Sequence, residues 1–211
     1  MAATQVYDLR PVLDDRRFEG FACDSESIRG KLTFPEDFLP DSPAIDQQAP
    51  RLAAIWKPPA VTGRVRPHND YPCVNLIIPA VSRRAVDALR DLLGPNGELL
   101  PLRSDIGEYF IYHVTTMVDV LDRDRSDVRW FSDDPGPWDA RAMTIDHFEF
   151  VPGRLEGLTI FNIPELAGDP LVTDAFKERV EAAGLQGFDF VKVWPLPRGT
   201  NWRQLHKKKR R

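Results

Sequence analysis

The 211-residue sequence predicts an α+β fold: a mixed, largely antiparallel sheet with two main helices packed on it, and an irregular proline-rich N-terminal wrap. Three observations lead to this class. Short apolar and aromatic runs recur from Pro72 onward between turn-forming residues, as strands do. Two other segments carry apolar residues at three-to-four spacing and run into a glycine, as helices do. Six prolines between residues 35 and 59 interrupt nearly every regular element there.

Residues 1–60 read as irregular structure with a few short elements, anchored by burying Phe18, Phe21, Phe34, Phe38 and Trp56. Val74-Asn75-Leu76-Ile77-Ile78-Pro79 fits a short buried strand. The helix after it is capped by Ser82, with Val81 and Val86 placed as a hydrophobic staple and Val86, Leu89 and Leu93 on its apolar stripe. Gly94 suits a left-handed stop. Glu98 to Leu102 reads as an edge strand and Glu108 to Val114 as a stronger one, aromatic and β-branched. Met117 to Leu121 continues in the same style.

Asp122 to Asp139 reads as an exposed loop, marked by Pro135, Gly136 and Pro137. Strands over Thr144 to Val151 and Gly157 to Ile163 flank a hairpin turn at Pro152-Gly153. A second helix runs from Thr173 or Asp174 to Ala183, with Phe176 and Val180 inward and Gly184 ending it. Phe188 to Trp194 is the last strand, closed by Pro195, and from Thr200 the chain reads as a solvated, mobile extension. The expectation is one domain in three parts: residues 1–70 packed on the core, an α+β core over 71–197, and a basic tail over 198–211.

Composition narrows the function. Hydrophobic residues make up 42% of the chain, enough to fill a core. No early stretch has the apolar run of a signal peptide and no apolar run is long enough to span a bilayer. Cys23 and Cys73 lack CxxC spacing, which points to a reducing cytoplasm, although a single bridge between them stays open. The net charge of −4 conceals an asymmetry: the seven cations after Pro197 leave residues 1–197 with 21 basic against 32 acidic residues, a formal −11. Such a body repels nucleic acid and membrane phosphates and attracts basic proteins.

Chemical motifs are sparse. No phosphate-cradling GxxxxGK[ST] or GxGxxG pattern occurs, so no cofactor is expected. His68, His113, His147 and His206 form no HxH or HExxH spacing and imply no metal site. The cluster Arg66-Pro67-His68-Asn69-Asp70 puts a histidine near an aspartate and arginines, and supports one alternative, a small hydrolase or transferase built around His68 and Asp70. The basic tail has only Trp202 for stacking, which makes nucleic acid a poor partner. Asp119 to Asp139 holds seven Asp against three Arg, with Trp130, Phe131 and Trp138 interspersed. Aromatics framed by acids suit an interface for a basic partner, or equally a loop whose aromatics tuck back onto the sheet.

Three stretches, in order, resemble a family of bacterial immunity proteins, the cognate inhibitors of polymorphic toxins, labelled immunity family eleven. They are Pro72 to Leu93, the run from Tyr109 to Asp122 followed by Ser126, and Ile160-Phe161 through Gly184-Leu185-Gln186-Gly187-Phe188-Asp189-Phe190. Together they span residues 70 to 194. The resemblance implies a cytoplasmic, non-enzymatic protein made beside a toxin, which it binds and blocks by covering a functional surface. The residues assigned to that contact are Asp119, Asp122, Asp124, Asp127, Trp130, Asp133, Asp134 and Trp138, facing a basic toxin.

Overall fold

The computed structural model describes residues 4–23, 51–64, 69–75, 78–130 and 142–209. Its strands are β1 (Val6–Pro11), β2 (Cys73–Val74), β3 (Ile78–Ser82), β4 (Gly97–Pro101), β5 (Tyr109–Val114), β6 (Asp127–Trp130), β7 (Ala142–His147), β8 (Ile160–Ile163), β9 (Leu166–Thr173) and β10 (Phe188–Trp194). The helices are α1 (Arg83–Asn96), α2 (Asp174–Ala182) and α3 (Trp202–Lys209). Sheet one has the order β10-β1-β9-β8, sheet two the order β2-β3-β5-β4, and β6 and β7 form a separate ribbon. Every pairing between these strands is antiparallel.

Sheet one is covered on both faces, and its sequence shows why. Tyr7, Leu9, Ile160 and Val172 join α1, α2 and one face of sheet two in a first apolar cluster. Their neighbours Val6, Phe161 and Leu171 point to a second cluster, with Ile145, Phe148, Phe150, Trp194 and Trp202. The period-two alternation of a strand therefore feeds two cores at once. Sheet two has its far face closed by Phe21, Leu52 and Val61 from the N-terminal region, packed on Val74, Leu100, Tyr109 and Ile111.

The α1 cap forms as expected. The Ser82 hydroxyl accepts from the Ala85 N–H at 3.1 Å, and Val86, Leu89 and Leu93 are buried. Gly184 stops the chain after α2 at a φ of 62°, the left-handed conformation that glycine tolerates. β4 is an edge strand, β5 lies inside sheet two, and β10 has the predicted bounds.

Several elements differ from the sequence expectation. β1, inside a segment read as mostly irregular, is an inner strand of sheet one between β9 and β10. Its single Pro11 falls at the strand end, where a missing N–H removes little. The expected strand from Val74 to Pro79 is instead two strands that pair with one another, with Asn75 at a φ of 51° between them. Asn tolerates that conformation, and its side chain is held by the Cys23 backbone, accepting from its N–H at 2.8 Å and donating to its carbonyl at 3.1 Å. Leu76 and Ile77 lie outside the described residues.

Gly94 does not stop α1, because Pro95 fits the last helical turn and the helix runs on to Asn96. The next residue, Gly97, needs glycine for another reason: a Cβ there would meet the His113 carbonyl oxygen at 2.5 Å. The hairpin expected at Pro152-Gly153 is a short 3-10 turn, and β7 pairs with β6 while β8 pairs with β9. β9 was hidden by its Gly168 and Pro170. Met117 and Leu121 make single bridges, to Asn162 and Phe150, in place of a strand. The loop expected from Asp122 contains β6, and the expected mobile tail contains α3.

Cys23 and Cys73 are both free thiols. The parallel bridge between Phe21 and Val74 offsets the two cysteines by three residues along extended chain. That offset is roughly 10 Å, beyond the ~7 Å between Cα atoms that a disulfide spans.

Candidate functional site

The segment singled out by its acids begins where the chain leaves sheet two and turns toward β6. Asp119 is held by arginines: its carboxylate lies 3.4 Å from Arg154 and 3.9 Å from Arg123, and its carbonyl accepts from Arg154 at 2.8 Å. Asp122 shapes the turn, accepting from the Arg125 N–H at 3.2 Å through its carboxylate and from the Ser126 N–H at 2.9 Å through its carbonyl. Ser126 then locks β6 toward the end of β7, donating to the Glu149 carbonyl and accepting from the Glu149 N–H at 2.9 Å. Asp119 and Asp122 thus build the turn that presents Asp124 and β6.

Asp124 is exposed at the tip of that turn. β6 alternates along its length, with Asp127 and Arg129 outward and Val128 and Trp130 half-buried against the second apolar cluster. Asp127 stands 3.8 Å from Arg198, and Arg129 lies 3.3 Å from Asp146 of β7. Trp130 tucks back onto the core, the second of the two expectations for the aromatics of this segment. Asp133, Asp134 and Trp138, together with Phe131, lie outside the described residues. The exposed edge of the ribbon therefore carries both signs of charge: Asp124 and Asp127, with Arg125 and Arg129 between and beside them.

Beneath this surface sits a carboxylate that sequence reading did not single out. Glu165, in the β8–β9 turn, is fully buried, with one oxygen accepting from Arg123 Nε at 2.7 Å and the other without a hydrogen-bond partner. Burial pushes its carboxyl above the ordinary carboxylate range, against the opposing pull of Arg123. Its carbonyl also accepts from the Ala142 N–H at 2.8 Å, which ties the β8–β9 turn to the start of β7. Asp119, Arg123 and Glu165 thus form one charged chain running from the surface into the core. A lone Glu after a Pro in a turn gives no sequence signal of burial.

The ribbon is braced by α3. Trp202 is buried, edge-on to Phe148 at 5.8 Å, and its Nε1–H donates to the Ile145 carbonyl at 3.1 Å. The guanidinium groups of Arg10 and Arg203 lie over its ring, 5.3 Å and 4.3 Å from the centroid. Arg203 also donates to Asp146 at 2.8 Å and to the Ile145 carbonyl at 3.1 Å. Arg10 in turn holds the buried Asp8, whose carboxyl burial pushes upward. Asn201 caps the helix by accepting from the Gln204 N–H at 3.1 Å.

The cluster considered for acid–base chemistry divides. His68 and Arg66 lie outside the described residues. Asp70 is buried and both its oxygens are engaged: one accepts from Ser82 Oγ at 2.8 Å, the other from Arg84 at 3.0 Å and from the Gln186 N–H at 3.0 Å. Arg84 also reaches the Gly184 carbonyl at 2.9 Å. Asp70 therefore bolts the start of α1 to the turn after α2. No set of three His, Cys, Asp or Glu side chains suited to a metal ion occurs among the described residues. Nor, among them, is any helix long and apolar enough to cross a membrane.

The described residues thus form an antiparallel α+β frame that displays a short, mixed-charge ribbon, with Asp70 and Glu165 engaged in structural contacts. Residues 101–194 match the model of the Immunity protein family (Imm11), which supports the family assignment made from the sequence over that stretch. The match runs from the end of β4 to the end of β10 and contains the ribbon, the Glu165 turn and α2. The strand and capped helix from Pro72 to Leu93 precede it. The family is one of immunity proteins, not of enzymes, and its role is toxin neutralisation. No curated protein matches the chain.

Proposed function

We propose that the chain binds a cognate bacterial toxin in the cytoplasm and neutralises it by covering its active or functional surface. The family match carries this reading, because the matched residues enclose the exposed ribbon. Within the segment, Asp124 and Asp127 are the described acids that face solvent, and with Asp133, Asp134 and Trp138 they are assigned the toxin contact. Asp119, Asp122 and Trp130 serve it from behind by fixing the turn and the ribbon. A basic toxin surface would meet acids at the rim, where charge governs the association rate and its dependence on salt.

The test is co-expression with the toxin encoded beside this gene, followed by titration calorimetry of the purified pair. Survival of toxin-producing cells and a 1:1 complex are the expected results. Asp124→Lys/Asp127→Lys should slow association most at low salt, while Arg90→Glu on the exposed side of α1 should leave it unchanged. Cell death in the presence of the chain would sink the reading; unaltered association of the double variant would sink the residue assignment alone.

A further inference from the structure

The segment from Arg51 to Arg64 runs parallel to β4 along the edge of sheet two. The Leu52 N–H donates to the buried Glu98 at 2.6 Å, and Trp56 Nε1–H donates to the Pro101 carbonyl at 2.8 Å. Two backbone bonds of 2.9 Å then join Arg103 to Pro59 and Val61. Leu52 and Val61 are buried in the third apolar cluster, and a Cβ at Gly63 would meet Phe21 at 2.8 Å. Val61 and Gly63 therefore face inward. By the alternation of extended chain Arg64 faces outward, as Arg103 does beside Ala60.

The outward side of this strip is basic. Arg51, Lys57, Arg64 and Arg103 are exposed, and no acid occurs from Arg51 to Arg64. Glu98 is buried and lies 3.9 Å from Arg51, while Lys57, Arg64 and Arg103 form no ion pair among the described residues. Asp105 is the exposed acid nearest in sequence, two residues beyond Arg103. Between Arg51 and Lys57, Ile55 stands 65% exposed, the most exposed large apolar side chain among the described residues. Pro58, Pro59 and the bonds to β4 fix the strip, so it loses little chain entropy when a partner settles on it.

We propose that this strip is a second binding surface, whose partner is an extended acidic protein segment that sets an apolar side chain on Ile55. The cations supply a charged rim and Ile55 an apolar centre. From Glu98 to Arg103 the strip spans roughly 17 Å, the length of about five extended residues. The chemistry disfavours nucleic acid. Trp56 packs on the third cluster with its N–H engaged, so it is no platform for base stacking. The formal −11 on residues 1–197 repels a long polyanion but not a short segment confined to the strip. One exposed isoleucine also falls short of the apolar face that a membrane surface requires. This inference is independent of the toxin reading. The ribbon closes the second cluster and the strip the third, with both sheets and the first cluster between them.

Fluorescence anisotropy of the full chain with a labelled Glu-Glu-Leu repeat of about nine residues, at about 50 and about 200 mM KCl, tests the proposal. Saturable binding is expected at the lower salt, and weaker binding at the higher. Arg103→Glu should lower the affinity about tenfold at the lower salt, and Arg90→Glu, the same change of charge on α1, less than about twofold. Ile55→Ser should lower it about fivefold at both salts, as should exchange of Leu for Ser in the peptide. All three substituted side chains are exposed, so the thermal midpoint of the protein should not move. Absence of saturable binding, an equal loss from Arg90→Glu, or tighter binding of a labelled DNA duplex than of the peptide would overturn the proposal. So would a dimer in sedimentation velocity that Arg103→Glu dissociates, since that result gives the strip to a second copy of the chain.

Discussion

Arg123→Met is the substitution whose effect the structure specifies most fully. Met keeps the aliphatic stem but removes the only cation among the described residues that is bonded to Glu165, whose side chain has no solvent exposure. The carboxylate would then be buried without its guanidinium, one oxygen being unpaired already. Breaking a buried pair in this way costs about 3 to 5 kcal/mol, and the lower figure applies because Arg123 itself is about a third exposed and partly solvated. Asp119 retains Arg154 and adds little to the loss.

The pH dependence gives the sharper test. Glu165 titrates above its ordinary range in the folded protein, so the stability tied to its protonated form is present at low pH and is lost as pH rises through the folded value. Removing Arg123 moves that folded value higher still. The destabilisation should therefore be about 3 kcal/mol at pH 7 and less than half of that near pH 4, where the acid carries its proton in both proteins. Urea denaturation at the two pH values measures it. Asp8, also raised by burial, is common to both proteins and drops out of the difference. Adding Glu165→Gln to Arg123→Met should recover part of the loss at pH 7; a loss of equal size at both pH values would refute the assignment of its cause to the buried charge.

Three further outcomes rest on packing and bonding. Leu9→Ala should cost about 2 to 5 kcal/mol in urea denaturation, because Leu9 is fully buried on an inner strand; a loss below about 1 kcal/mol would mean that β1 is peripheral. Trp202→Ala should lower stability by about 3 to 5 kcal/mol and abolish the near-ultraviolet dichroism of the docked indole, whereas a free tail would predict almost no change. Asp70→Asn should cost about 2 kcal/mol, since one oxygen that accepts from Arg84 and from the Gln186 N–H is replaced by a donor, and a stability unchanged within error would argue against its bolting role.

Much of the ladder was readable along the chain because local rules suffice for it. Ser82 followed by apolar positions at three-to-four spacing marks α1 whatever surrounds it, and Gly184 marks the end of α2 because only its backbone is at ease there. The run Phe188 to Trp194 reads as a strand from its β-branched and aromatic residues. Pairing was less legible: β7 and β8, neighbours in sequence, find different partners, and a partner is chosen by which faces can be buried together. β1 and β9 are not legible as strands because proline and glycine count against a strand until a neighbouring sheet supplies its burial.

For the site, the sequence alone determined the family resemblance, the acidic balance of residues 1–197 and the concentration of Asp and Trp between residues 119 and 139. Only the tertiary structure decided which of those charges remain available to a partner. Asp119 and Asp122 are spent because Arg154, distant in sequence, and the backbone of their own turn reach them first. Glu165 is buried in a turn that meets Arg123 and the start of β7, and Trp202 turns a basic tail into a rooted helix because Ile145 and Phe148 offer it a hydrogen bond and an apolar wall. Charge is a property of composition; its availability is settled by the desolvation and pairing that the fold imposes.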